Sequence, residues 1–229
     1  MTHIKSKENH YVYYHGTDAR FVRMSEAERL CYLERCGRAI DYMWLFYRQI
    51  WDEEANIGVL HERIPDRQLG TFVTYACLMH QSYLNGSGHY QYGDLYLTSY
   101  LPKAADYALK AFVGGEYARI AYRLYQGALE LKFNGWNPDD DFRETARLMC
   151  RYADEPSEPV ILKFENLDLA CLTQDNGRAI DFSYERWSIV NQMVRYTKPL
   201  RLDLTRAVHL PPHFKRSDIE ALVNQIESQ

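Results

Sequence analysis

The residues best suited to chemistry in this chain lie in two short stretches and one outlying tyrosine. Tyr13-Tyr-His-Gly-Thr17 closes an aromatic, β-branched run with a histidine and a glycine, the composition of a strand and its end. Gly93-Asp-Leu-Tyr-Leu-Thr98 is a second β-type run, and Pro102-Lys-Ala-Ala-Asp-Tyr-Ala108 after it has the small, helix-favouring composition of a first helical turn. Tyr96 thus leaves a strand end, and Tyr107 rides on the next helix, eleven positions on. Two tyrosines so placed can face each other across a slot one flat ring wide. An electron-poor or cationic ring held there gains on the order of a kcal/mol per aromatic face. Glycine at position 16 lets a ligand amide lie against the backbone, because no Cβ stands in the way. With 19 tyrosines in the chain, one pair at one spacing carries little weight, and the ordered combination carries the argument.

That combination resembles the diphtheria-toxin-like ADP-ribosyltransferases. Members carry Tyr-His-Gly-Thr on a first strand, a Tyr-x-Thr strand end, and a second tyrosine eleven residues later, as Tyr14 to Thr17, Tyr96 to Thr98 and Tyr107 do here. The resemblance implies an α+β fold with an ADP-ribosyltransferase-like split β-sheet, and NAD as co-substrate with no metal. It implies nicotinamide between Tyr96 and Tyr107, its carboxamide on Gly16, ribose contacts from His15, and Thr17 and Thr98 beside the ligand. The third catalytic position of that family, usually a glutamate late in the chain, falls in Gln192-Met-Val-Arg-Tyr-Thr197, where the first residue is glutamine. Glutamine holds a ribose by hydrogen bonds but supplies neither charge nor base. Glu165 and Glu185 are the rivals for that role.

The implied activity is mono-ADP-ribosyl transfer to a macromolecular acceptor, a protein before a nucleic acid, with release of nicotinamide. The alternative is a catalytically weak or inactive NAD- or ADP-ribose-binding protein that docks a partner. An RNA 2′-phosphotransferase of the same fold needs several arginines around a phosphate, and no such cluster is apparent near His15 or Tyr96 in the sequence. A helical interaction protein is what remains if the triple is coincidence. An effector, a toxin held by an antitoxin, and a housekeeping enzyme are equally compatible with these residues.

Composition limits the classes further. A chain of 229 residues accommodates one domain of generous size. Net charge of −4 and a pI of about 6.1 give no general nucleic-acid or anionic-membrane surface. The polar first ten residues and the charged interruptions in the most apolar stretches predict a cytoplasmic location, or delivery into a host cytoplasm, without signal peptide or transmembrane segment. Five cysteines without a Cys-x-x-Cys pair read as free thiols, with Cys31, Cys77 and Cys150 buried in helices, and the histidine spacing supports no zinc site.

The elements that must position the site follow in order. Ser25-Glu-Ala-Glu28 is a capping box, and Leu30, Cys31, Ile40, Met43, Trp44, Tyr47, Ile50 and Trp51 predict a long amphipathic helix to about Trp51, with Gly37 a point of interruption. Asp66 caps a second helix that Asn85-Gly-Ser-Gly88 stops. Residues 25–85 therefore read as a helical insertion after the first strand of a single domain, a natural surface for an antitoxin or host protein. Helices are predicted from Pro102 to about Phe112, from Glu116 to about Leu131, and after Asn137-Pro-Asp-Asp-Asp141. Strands are predicted at Pro159 to Phe164, Leu167 to Leu172, within Trp187 to Leu200, and near Leu200 to Leu204, with a final helix at Ser217 to Ile226.

Overall fold

A computed structural model describes residues 12–54, 58–84, 95–131, 136–174, 180, 193–198, 200–211 and 213–227. The chain is mixed α+β, with small antiparallel sheets and a large helical body. Strand β1 (Val12–Asp18) leads through the single turn α1 (Ala19–Val22) into α2 (Glu26–Glu54), α3 (Gly58–Arg63) and α4 (Arg67–Leu84). Strand β2 (Leu95–Leu97) then precedes α5 (Leu101–Lys110), α6 (Glu116–Leu131) and α7 (Asp140–Asp154). Strands β3 (Pro159–Glu165), β4 (Leu172–Gln174), β5 (Val194–Tyr196) and β6 (Ala207–His209) follow, and α8 (Ile219–Glu227) is the last described element.

Among the described residues the strands form two three-stranded antiparallel sheets, ordered β1-β3-β6 and β2-β5-β4. They meet at one bridge, where Tyr14 N–H donates to the Thr98 carbonyl at 2.7 Å and Thr98 N–H to the Tyr14 carbonyl at 2.9 Å. In the first sheet Gly16 lies opposite Ile161 and His15 opposite Leu162. In the second, Tyr96 lies opposite Arg195, and Arg195 opposite Thr173. Because side chains alternate along a strand, Tyr14, Gly16, Tyr96 and Thr98 share one face, and Tyr13, His15 and Leu97 share the other. Helix α5 covers the first face of the β1 sheet through Leu101, Ala104, Ala105 and Ala108, packed with Ile161 and Leu210. On the second face Tyr13 and Leu97 join Leu172, Val194 and Tyr196 in a separate apolar cluster.

The largest core is helical, built from α2, α4, α6 and α7 around Met43, Phe46, Tyr47, Val73, Leu124, Phe142 and Met149. Residues 25–85 thus make no core of their own, because α6 and α7 from beyond the second tyrosine complete it. The predicted capping box forms: Ser25 N–H donates to Glu28 Oε2 at 2.8 Å and Glu28 N–H to Ser25 Oγ at 3.2 Å. Asp66 caps α4 through the Gln68 and Leu69 amides, and Asp139 caps α7 through the Phe142 amide.

Several expectations are corrected. Helix α2 runs through Gly37 without a break, since packing of its neighbours outweighs the roughly 1 kcal/mol that a helical glycine costs. Leu30 and Cys31 sit on the outer stripe of α2 and are exposed. Leu169–Cys171 is a 3₁₀ turn rather than strand, because the Asp168 carboxylate takes the Ala170 amide, and the strand begins at Leu172. In the same way Asp203 takes the Thr205 amide and delays the last strand to Ala207. No described helix is long and apolar enough to cross a membrane.

One buried ion pair joins these parts. Asp18 is fully buried at the end of β1, and its carboxylate accepts from Arg20, from Ser157 Oγ at 2.8 Å and from Glu158 N–H at 3.0 Å. Burial alone would raise the Asp18 pKa, but these donors bring it below the usual carboxylate range. Arg20 also donates to the Phe112 carbonyl at 2.7 Å, just past α5, and to the Tyr152 carbonyl at 3.0 Å in the last turn of α7. The pair therefore ties sheet, α5 and helical body at one point. Asp18→Ala removes the main counter-charge of the buried Arg20 guanidinium, which keeps its carbonyl acceptors and the more distant Glu155, and is expected to cost about 3 kcal/mol, read as a lower urea midpoint with unchanged slope.

Candidate active site

The site forms where β1 and β2 part. Had the two strands continued to pair beyond Tyr14 and Thr98, the next hydrogen-bonded couple would be Gly16 with Tyr96. They separate instead. Alternation along β1 aims the Gly16 amide and carbonyl at the β2 side, as it does those of Tyr14. Outside the β1–β3 ladder the Gly16 amide donates to no other described backbone group and its carbonyl accepts from none. His15 spans the opening: its Nδ1 lies 2.9 Å from the Tyr96 carbonyl oxygen. A carbonyl only accepts, so the proton is on Nδ1 and the Nε2 lone pair is left as an acceptor. Burial lowers the His15 pKa below 6.5, the bond to Tyr96 partly offsets this, and the nearby Arg29 charge lowers it further. The imidazole is therefore neutral at pH 7.

Gly16 is required for a reason that its sequence context did not show. A Cβ built there would sit 2.6 Å from the Ala108 nitrogen and closer still to the Ala104 carbonyl oxygen, both in the backbone of α5. The space over its Cα is filled by helix, so any ligand contact at Gly16 would have to use the strand edge rather than the sheet face. The same contact lands on the peptide that joins Tyr107 to Ala108, and so fixes the backbone of Tyr107 close to β1. Ala104, Ala105 and Ala108, each 1% exposed or less, make the approach possible, since any longer side chain would lift the helix away.

Tyr96 stands across the opening on the same sheet face as Gly16, and both Tyr96 and Tyr107 are half-buried. Thr98 is buried, and its Oγ1 accepts from the Tyr100 amide at 3.1 Å, which shapes the turn from β2 into α5. The spacing of eleven residues between the tyrosines thus corresponds to one turn plus just under two turns of helix. Thr17 is buried opposite Val160, one step further along β1 on the His15 face. The backbone therefore brings His15, Gly16, Tyr96 and Thr98 together beside the β1–β2 bridge, with Ala108, the neighbour of Tyr107, packed on Gly16.

Gln192 and Glu185 lie outside the described residues. Strand β5, which begins two residues after Gln192, pairs with the Tyr96 strand in the order β2-β5-β4. Glu165 is opposite Val12 on β3, beyond β1 as seen from β2, and its carboxylate pairs with Lys163 at 2.9 Å. It is thus displaced from the opening by a strand and by three residues of register from His15's partner Leu162. Sequence reasoning missed Arg195, directly opposite Tyr96 on the same face. The signal was present in the alternation Val194-Arg-Tyr196, whose outer members are both buried. Among the described residues no group of three or more His, Cys, Asp or Glu side chains is placed to hold a metal ion. Compared with protein-family models, curated proteins and solved structures, the chain finds no match.

Two outcomes follow from this geometry. Gly16→Ala is expected to displace α5 and lower the melting temperature by at least about 5 °C, as a core overpacked against rigid backbone does. For His15, the unfolded chain takes up its proton first as pH falls through 6.5, so the stability tied to the neutral ring is present above that pH and is lost on acidification toward the lower folded pKa. His15→Asn keeps an N–H for Tyr96 but does not titrate. Urea melts at about pH 7.5 and about pH 5.5 should show wild type losing stability relative to this variant at the lower pH.

Proposed function

We propose that this chain is an NAD-dependent mono-ADP-ribosyltransferase with a split-sheet core of the ADP-ribosyltransferase kind. The observation that carries the reading is the parting of β1 and β2 immediately after one bridge, with His15 and Gly16 on one lip, Tyr96 on the other, and Tyr107 delivered by the helix between.

The Gly16 amide and carbonyl form a donor and acceptor pair spaced for a primary carboxamide, which itself has one acceptor and two donors. Nicotinamide held by them lies between the faces of Tyr96 and Tyr107, and its positive charge is favoured by both rings. The neutral His15 accepts a hydrogen bond from a ribose hydroxyl at Nε2, and Gln192 holds the hydroxyl beside the anomeric carbon by hydrogen bonds. The glycosidic C–N bond breaks with its electron pair going to the nicotinamide nitrogen, and an acceptor that is already nucleophilic forms the new bond to the anomeric carbon. Glutamine at 192 provides no base, which favours transfer to such an acceptor over hydrolysis or chain elongation. The same glutamine supports the second reading, a protein that binds NAD or ADP-ribose with little turnover.

Purified protein incubated with labelled NAD and a cell lysate is expected to label a discrete band and to release nicotinamide. Tyr96→Ala and Tyr107→Ala should each weaken NAD binding about tenfold while leaving the circular dichroism spectrum unchanged. NAD binding without nicotinamide release selects the second reading, and absence of both binding and label overturns the proposal.

A further inference from the structure

We propose that Arg195 and Thr173 form a phosphate subsite one strand outward from the ring slot. This rests on the nicotinamide-slot reading for its ligand, although the subsite itself can be tested without it.

The strand register sets Tyr96, Arg195 and Thr173 in one row across β2, β5 and β4, all on the same face. Adjacent strands are about 4.8 Å apart, so the guanidinium begins one spacing from the tyrosine and the threonine hydroxyl two. The opposite face of these strands presents Leu97, Val194, Tyr196 and Leu172 to an apolar cluster. Helix α5 packs with Tyr14, Ile161 and Val208 of the neighbouring sheet, on the face that this row continues. An arginine in the middle strand of a small sheet, between an aromatic ring and a hydroxyl, brings five N–H donors, more than a single neighbour takes up. Its planar array of donors does match the oxygens of a phosphate. Thr173 is half-buried, and its buried Oγ1 has no hydrogen-bond partner among the described residues, which leaves a donor for the same anion. A ring stacked on Tyr96 and extended by one pentose carries a phosphate outward along this row.

The test uses the full chain with inorganic pyrophosphate as probe, followed by isothermal titration, and then with nicotinamide riboside and nicotinamide mononucleotide, which differ only by the phosphate. Wild type is expected to bind pyrophosphate, with Arg195→Gln weakening it about tenfold and Thr173→Val several-fold. Wild type should also prefer the mononucleotide to the riboside about tenfold, and Arg195→Gln should erase that preference. Loss of pyrophosphate binding in Arg195→Gln with the preference intact assigns the subsite to a phosphate of the acceptor instead. Pyrophosphate binding lost in the variant while no nicotinamide ligand binds wild type keeps the subsite and removes the slot reading. Should Arg195→Gln fail to fold, Thr173→Val carries the comparison. Wild type that binds no pyrophosphate, or folded variants that bind it equally well, overturn the proposal.

Discussion

At Gly16 the backbone of α5 rests on the backbone of β1 with no side chain between them, and the arrangement of the site depends on that contact. The helix can come so close because the strand offers glycine and the helix offers three buried alanines. Close approach on one face fixes where Tyr107 stands, and the turn at Thr98 fixes where Tyr96 stands. The opening between β1 and β2 then has walls set by backbone packing, which side-chain motion alone does not relax.

A sheet that parts leaves unpaired edges, which are costly unless something else uses them. Here the imidazole of His15 crosses the gap and satisfies the Tyr96 carbonyl, so a side chain takes the place of one ladder bond. The arrangement also sets the tautomer and leaves Nε2 as an acceptor at neutral pH. One side chain therefore both bridges the parted strands and keeps an acceptor nitrogen free of the bond to Tyr96.

The helical body has its own core and meets the sheets through Asp18 and Arg20, with α5 alongside. Because α6 and α7 complete the core begun by α2 and α4, the helices between β1 and β2 are not a separable module.

The chain itself determined the local pieces: the caps at Ser25, Asp66 and Asp139, the helix periods, the apolar run of β3, and the pairing of a His-Gly strand end with two tyrosines eleven residues apart. These depend on neighbours within a few positions, where hydrogen-bonding chemistry and side-chain periodicity act directly. Only the tertiary structure decided that Gly16 serves α5 packing, that Glu165 lies beyond β1, and that Arg195 faces Tyr96. Each of these depends on which strand lies beside which and in what register, a choice made by contacts between residues up to about a hundred and fifty positions apart, and a shift of one residue would have turned every one of those side chains to the other face.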